Sequence, residues 1–251
     1  LAFNFITEMN PKLQREEDLR QRLKNVHERI AAAATRSGRR PEDITLVSVS
    51  KTHSAETIKQ AIGAGATDLG ENRVQEADAK IPLVGRNAAR WHLIGHLQSN
   101  KARRAVELFD VIHSLDSAAL ARRLDRVCGE VNRKVLPVLI QVDLGKEATK
   151  SGAPEAEVPK IIEAINQTQT LRLTGLMTLP PYFDDPTLAR PFFSRLRELR
   201  DEMRARGAFG DLSGELSMGM TNDFEVAIEE GATIVRVGTA IFGERGSPTQ
   251  S

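Results

Sequence analysis

Apolar positions along this chain follow two periods that take turns. From Lys12 to Ser37, Leu13, Leu19, Leu23, Val26, Ile30 and Ala33–Ala34 recur at helical spacing among charges, and Gly38 stands where a helix should stop. This predicts a leading, surface-packed helix. Beyond it come eight short apolar runs: Ile44–Lys51, Thr67–Asn72, Arg90–Leu97, Val111–Asp116, Val135–Leu144, Leu171–Leu179, Gly214–Gly219 and Thr233–Phe242. Amphipathic stretches separate them, with helices predicted over Ala55–Ala64, Lys101–Phe109, Ser117–Val131, Glu155–Gln167, Thr187–Arg206 and Asn222–Glu230. Strand and helix in alternation argue for a parallel sheet covered by helices.

An internal echo supports a repeated unit. Ala61-Ile62-Gly63-Ala64-Gly65-Ala66-Thr67 precedes the second run, and Ala227-Ile228-Glu229-Glu230-Gly231-Ala232-Thr233 precedes the eighth; both read as a helix stopped by glycine and followed by a strand. Eight such units in roughly 240 residues suit a closed (β/α)₈ barrel better than a doubly wound sheet of about six strands. The predicted fold is therefore α/β, a single (β/α)₈ TIM barrel over residues 9–245 with an extra N-terminal helix. Residues 1–8 carry neither the basic start nor the apolar centre of a secretory signal, and Met9-Asn10-Pro11 opens onto the helical pattern. They read as a leader or upstream extension, and residues 246–251 as a polar tail.

Composition narrows the partners. Lys and Arg number 35 against 34 Asp and Glu, so no chain-wide basic excess attracts nucleic acid or an anionic membrane. Any ligand must be caught locally. No apolar run approaches the roughly 20 residues of a membrane span, and the single cysteine, Cys128, has no internal disulfide partner. These features predict a soluble protein of a reducing, cytoplasmic compartment; a monomer is also expected.

In a barrel of this kind, functional groups stand at the C-terminal ends of strands. The first run closes on Ser50-Lys51, and alternation places Lys51 on the face of Val47 and Val49. A desolvated amine there could attack an aldehyde; equally, a lysine can simply end a strand in water. The seventh run ends Ser217-Met218-Gly219-Met220-Thr221-Asn222 and the eighth Arg236-Val237-Gly238-Thr239-Ala240. Small residues after the last two strands of a barrel match a recurring phosphate site, although each alone is an ordinary turn. Arg236 shares a strand face with Gly238, so it either meets a core carboxylate or donates to a ligand nitrogen.

Other patterns fail on their chemistry. Gly63 and Gly65 lie at a helix end before a strand, the wrong order for a dinucleotide fingerprint. Gly145-Lys146 lacks the first glycine and the hydroxyl of a P-loop. His92 and His96 sit in a strand pattern without further ligands, so no metal site is expected.

Val47-Ser48-Val49-Ser50-Lys51, Gly70-Glu71-Asn72-Arg73-Val74-Gln75-Glu76, Trp91-His92-Leu93-Ile94-Gly95-His96-Leu97-Gln98-Ser99-Asn100-Lys101, Gly175-Leu176-Met177-Thr178, Leu216-Ser217-Met218-Gly219-Met220 and Arg236-Val237-Gly238-Thr239-Ala240-Ile241-Phe242-Gly243 occur in that order. Together they resemble the pyridoxal phosphate homeostasis protein family, from about Leu13 to Gly243. The resemblance implies a fold-type III barrel like the N-terminal domain of alanine racemase, with pyridoxal 5'-phosphate (PLP) held as an internal aldimine on Lys51. It further implies phosphate contacts from Ser217, Gly238 and Thr239, with Met218 and Gly219 shaping the same loop. Arg236 would face the pyridine nitrogen, and Asn72, His92 and Met177 would be ring-side or pocket-wall residues. The implied role is binding and supply of PLP, to apo-enzymes that need it, with effects on amino-acid and keto-acid balance and no established catalysis.

A competing reading is a fold-type III enzyme such as an amino-acid racemase. Racemisation needs a second base opposite the lysine, and the sole tyrosine, Tyr182, follows Pro180-Pro181 after the sixth run, where a solvent-facing loop residue is the plainer expectation.

Overall fold

A computed structural model describes residues 11–145 and 151–243; the expected leader at 1–8 and tail at 246–251 lie outside the described residues. Each of the eight runs forms a strand: β1 Thr45–Val49, β2 Asp68–Glu71, β3 Arg90–Leu93, β4 Val111–Leu115, β5 Leu136–Asp143, β6 Leu171–Met177, β7 Glu215–Ser217 and β8 Ile234–Val237. Parallel ladders run in the order β4-β3-β2-β1-β8-β7-β6-β5, and β4 pairs with β5 to close the ring. The closed barrel follows from strands that keep one apolar face inward and one outward, with no edge left bare. Outside the ring, Ala153–Pro154 adds a two-residue pairing to Val142–Asp143.

The helices are α1 Pro11–Arg36, α2 Ala55–Gly63, α3 Val74–Val84, α4 Ala102–Leu108, α5 Ala118–Glu130, α6 Val158–Asn166, α7 Arg190–Ala205, α8 Phe224–Glu229 and α9 Thr239–Phe242. Ser54 caps α2 by accepting from Thr57 N, and Ser117 caps α5 by accepting from Leu120 N. Apolar stripes of these helices, such as Leu120, Leu124, Val127 and Cys128 on α5, pack against the barrel's outer face. Burying each large side chain of this kind contributes roughly 1.5–3 kcal/mol. Inside the ring a separate apolar cluster joins Val47, Val111, Leu139, Met177 and Ile234.

Three differences from the sequence expectation bear on the site. The eighth run is not strand throughout: β8 stops at Val237, and Thr239–Phe242 turns into α9 after Gly238. The third run is strand only to Leu93, because the chain then bends over β2; a Cβ on Gly95 would lie 2.2 Å from Asn72 O. Helix α3 was not among the predicted helices, since Pro82 inside it interrupts the pattern.

Helix α1 is tied to the other end of the chain. It packs on α8 and α9, with Arg29 Nε donating to Glu225 Oε1 at 2.7 Å and Arg36 Nη2 to Glu229 Oε1 at 3.0 Å. Gly38, at φ +68°, ends it as expected, with Arg39 N donating to Ala34 O at 2.9 Å. Among the described residues, no helix is long and apolar enough to cross a membrane, and no three metal-ligating side chains gather.

Candidate functional site

A cavity of about 640 Å³ opens where the C-terminal ends of the strands meet the loops. Lys51, Asn72, Arg236, Gly238 and Thr239 line it. These are five of the ten residues singled out from the sequence, drawn from β1, β2 and β8 or from the turns just beyond them.

Lys51 sits in the turn after β1, between two anchored neighbours. Ser50 Oγ donates to Glu71 Oε1 at 2.8 Å, and Lys80 Nζ donates to Ser50 O at 3.2 Å and to both Glu71 oxygens at 3.1 Å. On the other side, Thr52 takes φ +67° and its N donates to Glu76 Oε2 at 3.2 Å. Burial pushes the Glu71 carboxyl above its ordinary range, opposed by the nearby Lys80 ammonium. A buried carboxylate and ammonium thus fix the backbone around Lys51. Among the described residues the Lys51 amine itself has no hydrogen-bond or ion-pair partner.

Across the cavity, two loops meet. After β7, Gly219 adopts φ +93° and packs so tightly on α8 that a Cβ would lie 2.6 Å from Ala227 Cβ. Its carbonyl accepts from Arg236 N at 3.0 Å, and Met220 N donates to Asp223 Oδ1 at 2.6 Å, which curls the loop back on itself. Gly238 N donates to Thr221 Oγ1 at 3.3 Å, joining this loop to the one after β8. Gly238 also backs onto β1, where a Cβ would sit 3.4 Å from Val49 Cβ and Val49 O. The amides of Thr221, Asn222 and Thr239 have no acceptor among the described residues, and all three residues line the cavity. Such converging amides favour an anion.

Arg236 projects inward from β8 and is only 2% exposed. Its Nη1 donates to Ser217 Oγ at 2.6 Å and its Nη2 to Thr178 O at 2.9 Å. Burial pushes the guanidinium down to about 10, with Asp223 acting the other way, so it remains charged at neutral pH. Of the two partners expected for an inward arginine, a core carboxylate in direct contact is not what the described residues provide.

The other five sequence-derived residues do not line this cavity. Ser217, expected to contact the phosphate, is fully buried, and its hydroxyl bonds to Arg236 Nη1 and to His113 Nδ1 at 2.9 Å. His92 is buried between His113 and Asp68, Met177 belongs to the apolar cluster inside the ring, and Met218 packs into the main core. Gly219 shapes the loop, as expected, through its backbone. Strand alternation assigns a face to a residue such as Arg236, but gives no measure of depth.

Thr221 and Asn222, part of the segment read as a phosphate loop but not singled out within it, line the cavity; His53, not found from the sequence, is held there by stacking on Phe242 with centroids 4.7 Å apart. Tyr182 is 74% exposed, as expected of a loop residue, yet it lines the cavity mouth. His96 lines it too, with Asp116 Oδ2 at 3.4 Å.

The chain is similar to known proteins over most of its length. The family model for the alanine racemase N-terminal domain matches residues 21–246. A pyridoxal phosphate homeostasis protein of Aquifex aeolicus is 42% identical over 225 residues, covering 90% of this chain and 97% of that protein. Its counterpart in Escherichia coli is 41% identical over 238 residues, covering 91% and 97%. Among solved structures, PipY of Synechococcus elongatus with PLP bound superposes with a TM-score of 0.75 at 41% identity, covering 87% of this chain and all (100%) of that one. Alanine racemase of Corynebacterium glutamicum, at 18% identity and a TM-score of 0.63, shares the fold. By sequence, fold and arrangement of strand ends, the chain belongs to the pyridoxal phosphate homeostasis protein family, built on the alanine racemase N-terminal domain.

Proposed function

We propose that this protein binds PLP in the cavity at the barrel mouth and acts in vitamin B6 homeostasis as a holder and supplier of the cofactor, with effects on amino-acid and keto-acid balance. One juxtaposition carries the reading: an amine and three amides without a partner among the described residues share one cavity with a buried guanidinium. These are the three complements that an aldehyde, a pyridine nitrogen and a phosphate dianion require.

When bound, PLP supplies an aldehyde that condenses with an amine and releases water. Lys51 provides that amine, with its backbone held by the Glu71–Lys80–Glu76 cluster. The amides of Thr221, Asn222 and Thr239, together with the Thr239 hydroxyl and the closely packed Gly238, hold the phosphate. Asn72 lines the ring side. Arg236 offers a fixed positive charge to the ring nitrogen; a neighbouring cation disfavours protonation there and weakens the ring as an electron sink. His92 and Met177 support this arrangement from beneath, and Ser217 serves it by holding Arg236.

The relatives at 41–42% identity that cover 90–91% of this chain are named for PLP homeostasis, which supports a carrier over a racemase. Tyr182 at the cavity mouth keeps a second reading, an amino-acid racemase with Lys51 and Tyr182 as its two bases. The carrier reading includes a cytoplasmic monomer handing PLP to apo-enzymes; the near-neutral charge and a lone, buried Cys128 support that setting. Absorbance spectra before and after borohydride, with the fixed peptide located by mass, test the site: the adduct is expected on Lys51, and another lysine would overturn it. Transfer of PLP to an apo-enzyme without chiral turnover of L-amino acids is expected. Racemisation that vanishes in Tyr182→Phe, with no transfer, would reverse the choice.

A further inference from the structure

Arg236 is a buried cation whose countercharge lies at a distance. From its Nη1 an unbroken chain of hydrogen bonds crosses the barrel: Ser217 Oγ at 2.6 Å, then His113 Nδ1 at 2.9 Å, then His113 Nε2 to His92 Nδ1 at 2.8 Å, then His92 Nε2 to Asp68 Oδ1 at 2.9 Å. The five residues come from β8, β7, β4, β3 and β2. Asp68 opens β2 with its side chain 16% exposed and lies outside the cavity lining, so the far end of the chain reaches toward solvent away from the proposed ligand.

The two ends dictate one polarity. A guanidinium only donates, so Ser217 Oγ accepts from it, and the hydroxyl, having no other acceptor among the described residues, sends its proton to His113 Nδ1. His113 must then carry its proton on Nε2 and donate to His92 Nδ1. From the opposite end, a carboxylate only accepts, so His92 carries its proton on Nε2 and donates to Asp68, leaving Nδ1 free to accept. Both deductions meet at the His113–His92 bond with the same direction. For His113 the neutral form suits its burial: desolvation, with His92 and Arg236 nearby, holds it well below its ordinary range.

We propose that Asp68, His92, His113 and Ser217 are positioning residues, a polarised relay that connects Arg236 to a remote carboxylate and holds its guanidinium in one orientation at the cavity floor. The proposal rests on the reading that PLP occupies the cavity, since Arg236 is where the relay would act on the ring nitrogen. Hydrogen bonds in series polarise one another, so removing the terminal charge weakens the grip on Arg236 without touching the cavity wall.

The first test needs no cofactor. Nitrogen NMR of ¹⁵N-histidine-labelled, PLP-free protein should show His92 and His113 neutral at pH 7, both protonated on Nε2. An imidazolium, or a proton on Nδ1 of either ring, would overturn the relay. The second compares PLP-loaded protein with Asp68→Asn, in which the amide oxygen can still accept from His92 while the charge is gone. The labelled ring nitrogen of PLP should move toward its protonated value and PLP should dissociate faster. Ser217→Ala, which cuts the relay in the middle, should move the same signal further and weaken PLP binding about tenfold, the scale of a lost bond to a charged group. A fall in thermal stability with no change at the ring nitrogen in either variant would make the chain purely structural and sink the proposal. Failure of the unmutated protein to bind PLP would instead defeat the cofactor reading, while the histidine spectra would still decide the relay's polarity.

Discussion

The cavity mouth and the barrel interior just below it are built from the same strands, yet their polar groups meet opposite fates. At the mouth, the Lys51 amine and the amides of Thr221, Asn222 and Thr239 find no protein partner among the described residues. Below, Ser217, His113 and His92 satisfy one another, and Arg236 belongs to both regions. Donors left unpaired near water cost little and await a ligand, whereas the same groups in the interior would each cost about 1–3 kcal/mol if unpaired. Conspicuous polar residues on barrel strands therefore divide by depth into those that touch a ligand and those that aim the ones that do.

Substitutions should separate these regions, beginning with the most drastic. Lys51→Ala should abolish the borohydride-fixed adduct entirely while the fold persists, as read by mass spectrometry and circular dichroism; an adduct on a different lysine would break the assignment. Next, Lys80→Met removes the ammonium from a fully buried Glu71 carboxylate. Breaking one side of a buried pair typically costs about 3–5 kcal/mol, so the unfolding free energy from denaturant titration should fall by that amount. If stability holds and adduct formation also holds, the cluster below Lys51 does not fix its turn.

Smaller effects sharpen the comparison further. Thr239→Val, at the mouth, should weaken PLP about tenfold and leave pyridoxal, which lacks the phosphate, nearly unaffected. Ser217→Ala, beneath it, should weaken both ligands alike, because it acts through Arg236; a phosphate-selective loss at Ser217 would return that hydroxyl to the mouth. The mildest effect is in pH. His113 has its pKa depressed on folding from an ordinary 6.5, so the unfolded chain binds a proton that the native protein refuses. Stability should accordingly fall as pH drops below about 6.5, by at most about 1.4 kcal/mol per unit for one group. His53, also depressed, adds in the same direction, so the His113 share is the slope lost in His113→Gln.

Much of this architecture was readable from residue order. Period-two runs punctuated by glycine marked all eight strands, and the residues at their ends marked the mouth, because in a parallel barrel the functional face is set by chain direction. Thr239–Phe242 misled because a four-residue apolar stretch fits strand and helix equally; only Gly238, packed on Val49, marks the break. His113 escaped notice beside Ser114 in the short run of β4. Its meaning comes from His92 on the neighbouring strand and Ser217 across the ring, pairings 21 and 104 residues apart that no local pattern encodes.

Ring closure also has a consequence in time. Lys51 leaves the ribosome early, but its complements Thr221, Arg236, Gly238 and Thr239 lie on the last two strands, and α1 finds its ion-pair partners 196 and 193 residues later. Contacts of such long sequence separation form late, after the loop between them has paid its closure entropy. During synthesis the chain therefore passes through a long interval in which Lys51 is made but the residues that share its cavity are not. On the proposed reading, a chain that stops before β8 lies between β1 and β7 lacks half of the PLP site, so retention of the cofactor is a property of the finished barrel.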